Sequence, residues 1–498
     1  MSLINITDLC FSYPGGAESV FENLNTALDT DWKTGLIGRN GKGKTTLMRL
    51  LCKQLVPDAG EISASVKFDY FPFETRAQSP TVYDALAEVL PDLELWRLQK
   101  ELALTDTDAE ILWRAPLTLS PGELVKVKLC ALFSVNGNFL LIDEPTNHLD
   151  MFSRGILGGY LAKKRGFILA SHDRAFLDLC VNRIVAFNRS GVRVQRGNFS
   201  SWYADMKQRE ESERAQNERL KRDIRRLEES AKRAESWADK VEKSKYGIDK
   251  GSGEAYDKGF IGHKAAKMNK RAKAIEKRAN EAIDEKSALL KDAERADPLK
   301  IAPLAYAKPR LIEARKLSLY YGEKTVFENL TFEVNGGERV ALTGRNGSGK
   351  TSLIKLILNN GQIENARTDG TLNIGGGLIV AYAPQNDENM RGSMAEYARE
   401  QNADGTLFFA ILNKLGFDKS KFGDDLTALS RGQLKKVSLA ALLAKRAHLY
   451  ILDEPLNYVD VISRIQIEEL FLTYKPTMLF VEHDRAFCEK IADKTIAL

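Results

Sequence analysis

One octapeptide occurs twice in this chain of 498 residues, as GRNGKGKT at residues 38–45 and as GRNGSGKT at residues 344–351. The same motifs flank both copies in the same order. VFENL precedes each copy, and LSPGE or LSRGQ, an apolar run ending in Asp-Glu-Pro, and His-Asp-Arg-Ala-Phe follow it. Such self-similarity indicates two homologous domains. Because a chain of this length holds roughly two to four domains, we expect domains at residues 1–203 and 301–498 and a linker at residues 204–300.

Each octapeptide lies between a short apolar stretch and a helix-like run, such as residues 46–51 after the first copy. A strand, a glycine-rich loop and a helix in this order form the phosphate-binding loop of P-loop ATPases. Residues 139–142 and 450–452 are apolar throughout, which is typical of fully buried strands in a largely parallel sheet. We therefore predict an α/β fold with two tandem P-loop ATPase domains.

The residue types of the loop suit it to a nucleotide. Glycines allow a tight turn in which successive backbone N–H groups converge on phosphate oxygens. Lys44 and Lys350 would then reach the β- and γ-phosphates. The hydroxyls of Thr45 and Thr351 would bind Mg²⁺. The sequence thus predicts ATP and Mg²⁺ as ligands.

An Asp-Glu pair ends the apolar strand of each copy. Asp143 and Asp453 would hold Mg²⁺ from its other side. Glu144 and Glu454 are suited to polarising the attacking water and are the predicted catalytic bases. The histidines of the last motif, which could contact the γ-phosphate and sense its loss, are His172 and His483.

These motifs resemble the Walker A, signature, Walker B and switch-histidine motifs of the ATP-binding-cassette (ABC) superfamily. The resemblance implies ABC-type domains that close head-to-tail, so that each signature motif completes the ATP site of the other domain. Site one would combine the first Walker A motif with Ser430 and Gly432, and site two the second Walker A motif with Ser120 and Gly122. The other residues assigned to ATP are Gly38, Arg39, Asn40, Gly41, Lys42, Gly43, Lys44, Thr45, Thr46, Glu123, Gly344, Arg345, Asn346, Gly347, Ser348, Gly349, Lys350, Thr351, Ser352 and Gln433.

The two copies differ in one loop of this pattern. A Tyr-Ala-Pro-Gln sequence ends at Gln385, the glutamine that the family places against Mg²⁺ and the attacking water, whereas the first copy ends in Phe73. A phenyl ring binds neither, so we predict inequivalent ATP sites. Tyr13 and Tyr321, at matching positions before each P-loop, resemble the adenine-stacking aromatics of the family, with an ordinary core position as the alternative.

The linker carries the charge surplus of the chain. Residues 206–298 contain 25 Lys and Arg against 20 Asp and Glu, which equals the net +5 of all 498 residues. Two apolar seams with heptad spacing run from Leu220 to Val241 and from Ala265 to Ala282, and glycines occur only between them. This pattern predicts a long antiparallel helical hairpin with arms of roughly 60 Å. A solvated single helix or a disordered segment is the alternative.

The tip of this hairpin, at residues 246–262, is basic, since residues 240–278 hold 12 Lys and Arg against 5 Asp and Glu. Cations neutralise phosphates and aromatic rings stack on unpaired bases, so a basic tip with aromatics suits RNA. A solvated basic loop with incidental aromatics is the alternative. The candidate RNA contacts are Lys245, Tyr246, Lys250, Tyr256, Lys258, Phe260 and Lys264.

Twin cassettes with a charged hairpin between them resemble the ABC-F family of ribosome-associated ATPases, especially its antibiotic-resistance, target-protection subgroup of the Lsa type. The resemblance runs the length of the chain and includes GHKAAKM at residues 262–268. It implies that the ATP-closed form binds at the E site of the 70S ribosome. The tip would approach 23S rRNA near the peptidyl-transferase centre, displace P-site tRNA and dislodge lincosamide, streptogramin A or pleuromutilin drugs.

Two other functions stay open at this point. A housekeeping ABC-F translation factor would relieve stalled ribosomes without protection against drugs, and the ATPase component of a drug-efflux transporter would act with a separate membrane chain. No apolar run approaches the ~20 residues needed to cross a bilayer, and the first residues lack the pattern of a secretory signal. We therefore expect a cytoplasmic protein without membrane contact, a monomer whose cassettes pair within the chain.

Overall fold

The computed structural model describes residues 2–15, 19–135, 137–147, 149–188, 191–243, 299–387 and 390–498, and residues 267, 270, 274, 277 and 278. Met1–Trp202 and Ala296–Leu498 form one unit, which contains both repeats, and Tyr203–Arg295 form another. Contacts between the two repeats therefore lie within a single unit.

The first repeat alternates strands and helices. Its strands are β1 (Leu3–Phe11), β2 (Phe21–Asp29), β3 (Lys33–Gly38), β4 (Ala59–Ala64), β5 (Lys67–Phe71), β6 (Asn138–Asp143), β7 (Phe167–Ala170), β8 (Arg183–Asn188) and β9 (Gly191–Arg196). Its helices are α1 (Lys44–Leu51), α2 (Val82–Ala87), α3 (Leu95–Ala103), α4 (Pro121–Ser134), α5 (Met151–Ala162) and α6 (Arg174–Cys180), with 3₁₀ turns at Ala109–Trp113 and Pro116–Thr118. The linker begins with α7 (Phe199–Lys243).

The second repeat has the same order of elements through its last strand, β17, which corresponds to β8 of the first repeat. Its strands are β10 (Arg310–Tyr321), β11 (Lys324–Asn335), β12 (Arg339–Thr343), β13 (Arg367–Ile374), β14 (Val380–Ala383), β15 (Leu449–Asp453), β16 (Met478–Val481) and β17 (Lys494–Ala497). Its helices are α8 (Lys350–Leu358), α9 (Met394–Glu400), α10 (Gly405–Lys414), α11 (Arg431–Ala444), α12 (Val461–Tyr474) and α13 (Arg485–Ile491), with 3₁₀ turns at Lys419–Gly423 and Leu426–Ala428.

Both repeats pair a parallel sheet with a small antiparallel one. The parallel strands run in the order β5-β6-β7-β3-β8 in the first repeat, with β9 added antiparallel, and β14-β15-β16-β12-β17 in the second. The antiparallel sheets have the orders β2-β1-β4 and β11-β10-β13. The predicted α/β fold with two tandem domains is confirmed. In the first repeat β7 separates β3, which precedes the glycine-rich loop, from β6, which ends in Asp-Glu; β16 separates β12 from β15 in the same way. Because these strands are parallel, both motifs lie at the carboxyl ends of the strands, on the same edge of the sheet.

The apolar runs form the centre of each core, as predicted. Leu140, Leu141 and Ile142 in β6 are at most 3 % exposed, and every residue of β15 is buried. Strands of a parallel sheet are covered on both faces, which requires continuous rather than alternating apolar residues. Burying one such side chain contributes about 1.5–3 kcal/mol. These strands therefore hold the polar residues at their carboxyl ends in place.

The linker helix α7 is 45 residues long, or about 68 Å at 1.5 Å per residue. Its seam residues Leu220, Ile224 and Leu227 are half-buried, whereas Arg222 and Arg225 on the other side are exposed. The predicted first arm is thus a helix with the expected apolar stripe. Of residues 244–298, which include the tip and the second arm, the structure describes only residues 267, 270, 274, 277 and 278, so the hairpin stays a prediction. Among the described residues, no helix is long and apolar enough to cross a membrane.

Candidate active site

The first glycine-rich loop joins β3 to α1 in a conformation that requires glycine. Gly41 and Gly43 have φ angles of 80° and 87°, and a Cβ on Gly43 would lie 2.6 Å from the ring of Phe21. Gly43 caps α1, whose first N–H groups have no partner within the helix. Gly349 repeats these features with a φ of 95°. Both loops therefore offer a helix N-terminus to an anion.

Each loop holds its lysine against its own carbonyl oxygens. Lys44 Nζ donates to Gly38 O at 2.8 Å and to Arg39 O at 3.2 Å. Lys350 Nζ makes the corresponding two hydrogen bonds at 2.9 Å each. Burial lowers the pKa of both amino groups, and nearby carboxylates oppose that effect. The two amino groups thus lie inside the loops, at the place where a phosphate would be enclosed.

A threonine and an aspartate meet beside each loop, and they suit a metal ion. Thr45 Oγ1 donates to Asp143 Oδ2 at 2.7 Å. Thr351 Oγ1 donates to Asp453 Oδ2 at 2.9 Å. Asp453 Oδ1 is buried and has no hydrogen-bond partner in the described part of the chain. Hydroxyl and carboxylate oxygens with spare lone pairs are the ligands that Mg²⁺ prefers, so these residues fit a bound Mg²⁺.

The glutamate that follows each aspartate has a strained backbone and a histidine next to it. Glu144 and Glu454 have φ angles of 48° and 50°, a region that residues other than glycine rarely adopt. Glu144 Oε1 lies 3.4 Å from His172 Nε2. Glu454 Oε1 lies at the same 3.4 Å from His483 Nε2. Strain at matching positions of two repeats indicates a functional constraint on both carboxylates.

The two repeats meet head-to-tail at these loops. Asn40 Nδ2 in the first loop donates to Tyr458 O of the second repeat at 2.7 Å. A Cβ on Gly432, in the second signature motif, would lie 2.7 Å from the same Nδ2. In the opposite direction, Asn346 N donates to Asp150 Oδ2 at 3.4 Å. Each glycine-rich loop therefore faces residues of the other repeat.

Both signature serines begin a helix. Ser120 Oγ accepts a hydrogen bond from Glu123 N at 3.2 Å and caps α4. Ser430 Oγ accepts one from Gln433 N at 3.4 Å and caps α11. The side chain at the third helical position bonds back to the serine N–H in both cases, which forms a capping box. A hydroxyl at the positive end of a helix dipole is well suited to a phosphate.

The loops that carry Phe73 and Gln385 make the two glutamates different. The Gln385 side chain hydrogen-bonds Glu454, and Asn457 Nδ2 donates to Glu454 Oε2 at 2.5 Å. Phe73 offers no such group, and Glu144 Oε1 has no hydrogen-bond partner among the described residues. The predicted difference between the two copies thus extends to the contacts of the candidate base itself.

The surroundings shift the pKa values of these glutamates in opposite directions. Burial, reinforced by the charge of Asp143, raises the pKa of Glu144 to about 8. Burial also acts on Glu454, but the neighbouring His483 ring and hydrogen bonds from the Gln385 and Asn457 side chains outweigh it and hold the pKa of Glu454 at about 2. These surroundings favour the ionised form, which is the form that accepts a proton, at Glu454 more than at Glu144.

Several residues that the sequence assigned to ATP do not face the interior of a glycine-rich loop. Arg39 reaches the second repeat, since a Cβ on Gly416 would lie 2.1 Å from its Nη1. The Arg345 guanidinium lies 5.4 Å from the ring centre of Phe152 in the first repeat. Tyr13 and Tyr321 are 40 % and 37 % exposed, and the Tyr13 hydroxyl lies 3.0 Å from Thr46 Oγ1. Stacking on adenine stays a prediction for both. Outside the described residues lie Lys245, Tyr246, Lys250, Tyr256, Lys258, Phe260 and Lys264.

Three site residues were not among the predicted ones. Asp150 caps α5 and accepts the hydrogen bond from Asn346 N of the second repeat. Asp460 caps α12, its Oδ2 lies 2.6 Å from Lys436 Nζ, and its charge acts on Lys44 of the first repeat. The Tyr70 hydroxyl donates to Asp143 Oδ2 at 2.9 Å. Both aspartates occupy matching places in the repeat, so a full comparison of the two copies would have found them. The contact of Tyr70 follows from the alignment of β5 with β6, which the sequence pattern does not state.

Comparison with known proteins assigns the chain to a family. The family model described as ABC transporter matches residues 21–147 and 327–457. ATP-binding protein Uup of Caulobacter vibrioides is 30 % identical over 97 % of this chain and 75 % of its own length. The chain belongs to the ABC-F family. The two repeats of this ABC-F protein are thus ATP-binding cassettes, as the motifs predicted.

Two further similarities extend over the whole chain. Ribosome protection protein VmlR of Bacillus subtilis is 28 % identical to this ABC-F protein over 100 % of the chain and 86 % of its own length. A crystal structure of archaeal ribosome recycling factor aABCE1 in complex with a ribosomal stalk protein matches 98 % of the chain and 87 % of its own, with a TM-score of 0.64 at 20 % identity. At that identity the structural match concerns the fold alone.

Proposed function

We propose that this ABC-F protein hydrolyses ATP to ADP and phosphate at two composite sites and uses cassette closure to act on the ribosome. The observation that carries the ATPase is the head-to-tail contact at Asn40, which touches both Tyr458 and the signature Gly432 of the other cassette. A nucleotide in the first loop would be covered by the second signature motif. Closure would then complete the site and exclude water from it.

Within each site, different residues bind the phosphates, hold the metal ion and activate the attacking water. Lys44 or Lys350 and the loop N–H groups bind the β- and γ-phosphates. Mg²⁺, held by the threonine and aspartate of each site and by Gln385 in site two, neutralises phosphate charge when bound. Glu144 or Glu454 accepts a proton from the attacking water. His172 and His483 stand beside these carboxylates at the γ-phosphate.

The ribosomal part of the proposal rests on the linker and on the relatives. Residues 206–298 carry the whole net charge of +5, and the positive charge is concentrated in residues 240–278. The long helix α7 precedes most of this basic stretch in the chain. One relative is named for ribosome protection. We place the domains at residues 1–203 and 301–498, with residues 204–300 as a helical hairpin in a cytoplasmic monomer.

The finer proposal concerns drugs. The ATP-closed form binds at the E site of the 70S ribosome, and the tip at residues 246–262 extends toward 23S rRNA and P-site tRNA at the peptidyl-transferase centre. Lincosamide, streptogramin A or pleuromutilin is displaced as a result. The positive charge and interleaved aromatics of the tip support this target, because phosphates and unpaired bases are what such a surface binds.

A trapping experiment tests the ribosomal target. The Glu144→Gln/Glu454→Gln double variant should bind ATP without hydrolysing it and should sediment with 70S ribosomes in ATP but not in ADP. The chain without substitutions, which turns over its ATP, is the matched control and should sediment less. Recovery of the double variant with membranes instead would favour the transporter ATPase and would contradict the proposal.

Drug tolerance then separates protection from a housekeeping role in translation. Expression of the chain in a drug-sensitive host should raise tolerance to the three drug classes. Replacement of residues 246–262 by a Gly-Ser linker of equal length should abolish this gain while ATP hydrolysis persists. A trapped ribosome complex without any gain in tolerance would instead identify a translation factor that relieves stalled ribosomes.

A further inference from the structure

A buried lysine of the second signature helix holds the loop that carries Gln385. Lys435 Nζ donates to Pro384 O at 2.7 Å and to Gln385 O at 3.3 Å. It also lies 3.3 Å from Asp387 Oδ2, and its side chain is only 2 % exposed. A buried ammonium group requires partners on every donor, and these three oxygens lie on one short loop. The position of this loop is therefore tied to α11.

The first cassette holds the equivalent loop from a different helical position. Lys128 Nζ donates to Phe73 O at 2.7 Å and lies 5.3 Å from the centre of the Phe73 ring. Counted from the signature serines, Val125 occupies the place of Lys435, and Ser438 occupies the place of Lys128. Each signature helix thus has one lysine on the loop, with the two positions exchanged between the cassettes.

Of the two lysine contacts, the one at Lys435 in the second cassette holds a loop whose side chain contacts a catalytic group. Helix α11 begins at Ser430, whose signature motif faces the first glycine-rich loop and therefore serves site one. Lys435, on the next turn, bonds to the backbone of Gln385, and the Gln385 side chain bonds to Glu454 of site two. In the first cassette the corresponding series of contacts ends at Phe73, which has no group that can bond to Glu144.

We propose that Lys435 is a positioning residue for Glu454, through which the state of site one sets the turnover rate of site two. The inference rests on the proposed ATPase activity. When ATP at site one draws the signature motif of α11 inward, Lys435 moves the Gln385 loop with the helix and completes the surroundings of Glu454. Occupation of site two has no equivalent effect on site one. Such one-way control concerns turnover only, because coupling of binding affinities between two sites is reciprocal.

The test uses the Glu144→Gln background, in which only site two turns over. Lys435→Met should lower kcat by about tenfold or more while KM changes less than about twofold, because Lys435 is placed on the loop and not on the nucleotide. Lys128→Met, in the same background, is the matched control and should leave kcat within about twofold. Equal kcat values for the two variants would overturn the proposal.

A second variant separates positioning from a general loss of structure. Lys435→Val with Ser438→Lys copies the arrangement of the first cassette, and the Ser438 side chain lies close enough to Asp387 to act on its pKa, so the new amino group can reach the same loop. This double variant should recover most of the kcat that Lys435→Val alone loses. Failure to recover kcat, with an unfolding transition like that of the parent chain, would show that anchoring of the loop is not what Lys435 provides.

The coupling between the sites is read from one more substitution. Ser430→Ala alters the signature motif at site one. In the Glu144→Gln chain that keeps Lys435, it should lower kcat of site two, and in the chain that also carries Lys435→Met it should have little further effect. Independent effects would refute the link. Absence of hydrolysis in the Glu144→Gln chain itself would contradict the ATPase proposal, whereas normal hydrolysis with no effect of Lys435→Met contradicts this inference alone.

Discussion

Replacement of Arg174 by Met should weaken the contact between the two cassettes. Arg174 begins α6 of the first cassette, and its guanidinium pairs with Glu468 of the second cassette and lies 3.6 Å from Asp484 Oδ2. Both carboxylates are fully buried, at 0 % exposure. The matching arginine of the second cassette, Arg485, pairs instead with the exposed Glu489 on its own helix. The two equivalent arginines therefore have unequal roles.

The size of the effect follows from the partners that remain. Removal of the only cation that pairs with a buried carboxylate lowers the free energy of unfolding by about 3–5 kcal/mol. Here Lys490 Nζ stays 3.1 Å from Glu468 Oε2, and Arg464 Nη1 stays 3.2 Å from Asp484 Oδ2. We therefore expect Arg174→Met to lower the free energy of unfolding by about 1–3 kcal/mol. Because the slope of the unfolding free energy against urea concentration is set by the surface exposed on unfolding, the same slope is expected for both chains, and the lower free energy appears as a lower unfolding midpoint.

Urea unfolding followed by tryptophan fluorescence measures this difference. Arg485→Met is the matched control and should change the free energy of unfolding by less than about 1 kcal/mol, because exposed ion pairs contribute little. Glu468→Gln should destabilise the protein to a similar degree as Arg174→Met. Equal midpoints for the Arg174 and Arg485 variants would refute this prediction, because of these two arginines Arg174 pairs with the other cassette and Arg485 pairs within its own helix.

The effect of Arg174→Met should also depend on pH. Burial favours the protonated form of Asp484, but Arg174 and Arg464 outweigh it and hold the pKa of Asp484 below its ordinary value. A depressed pKa contributes stability that is complete above the unfolded value of about 3.9 and is lost as the pH falls through the folded value. Because Arg174→Met removes part of the depression, its cost in unfolding free energy should shrink as the pH falls from about 4 to about 3. A constant cost across this range would contradict the assignment.

Two further predictions concern hydrolysis and stability. Glu454→Gln should reduce steady-state phosphate release to below about a tenth, and Glu144→Gln should leave roughly half or more, because only Glu454 has an ordered, ionised base; equal losses would show that the sites are equivalent. Lys436→Met should cost about 3–5 kcal/mol in urea unfolding, because it leaves Asp460 buried without its cation. The same substitution at the half-buried Lys126, which occupies the matching position, should lower the free energy of unfolding by less than about 1 kcal/mol. Similar losses for the two lysine variants would contradict this prediction.

Much of the fold and most of the site followed from local pattern. A strand, a glycine-rich loop and a helix place Lys44 and Thr45 at the carboxyl end of β3, and the Asp-Glu pair lies at the carboxyl end of β6, which β7 separates from β3. These relations depend on residues close together in the chain. The positions of Arg39 and Arg345 did not follow, because each side chain lies against the other cassette.

The repeated motifs were enough to predict the chemistry of each cassette, namely which residues can bind phosphate, metal and water, because repeated motifs imply repeated local structure. The difference between Phe73 and Gln385 was also visible in the sequence. The different surroundings of the two bases were not visible in the sequence: burial and Asp143 raise the pKa of Glu144 to about 8, and the partners of Glu454 hold its pKa at about 2. Burial, and hydrogen bonds between residues far apart in the chain, set these values. Such contacts exist only once the sheets and helices have packed.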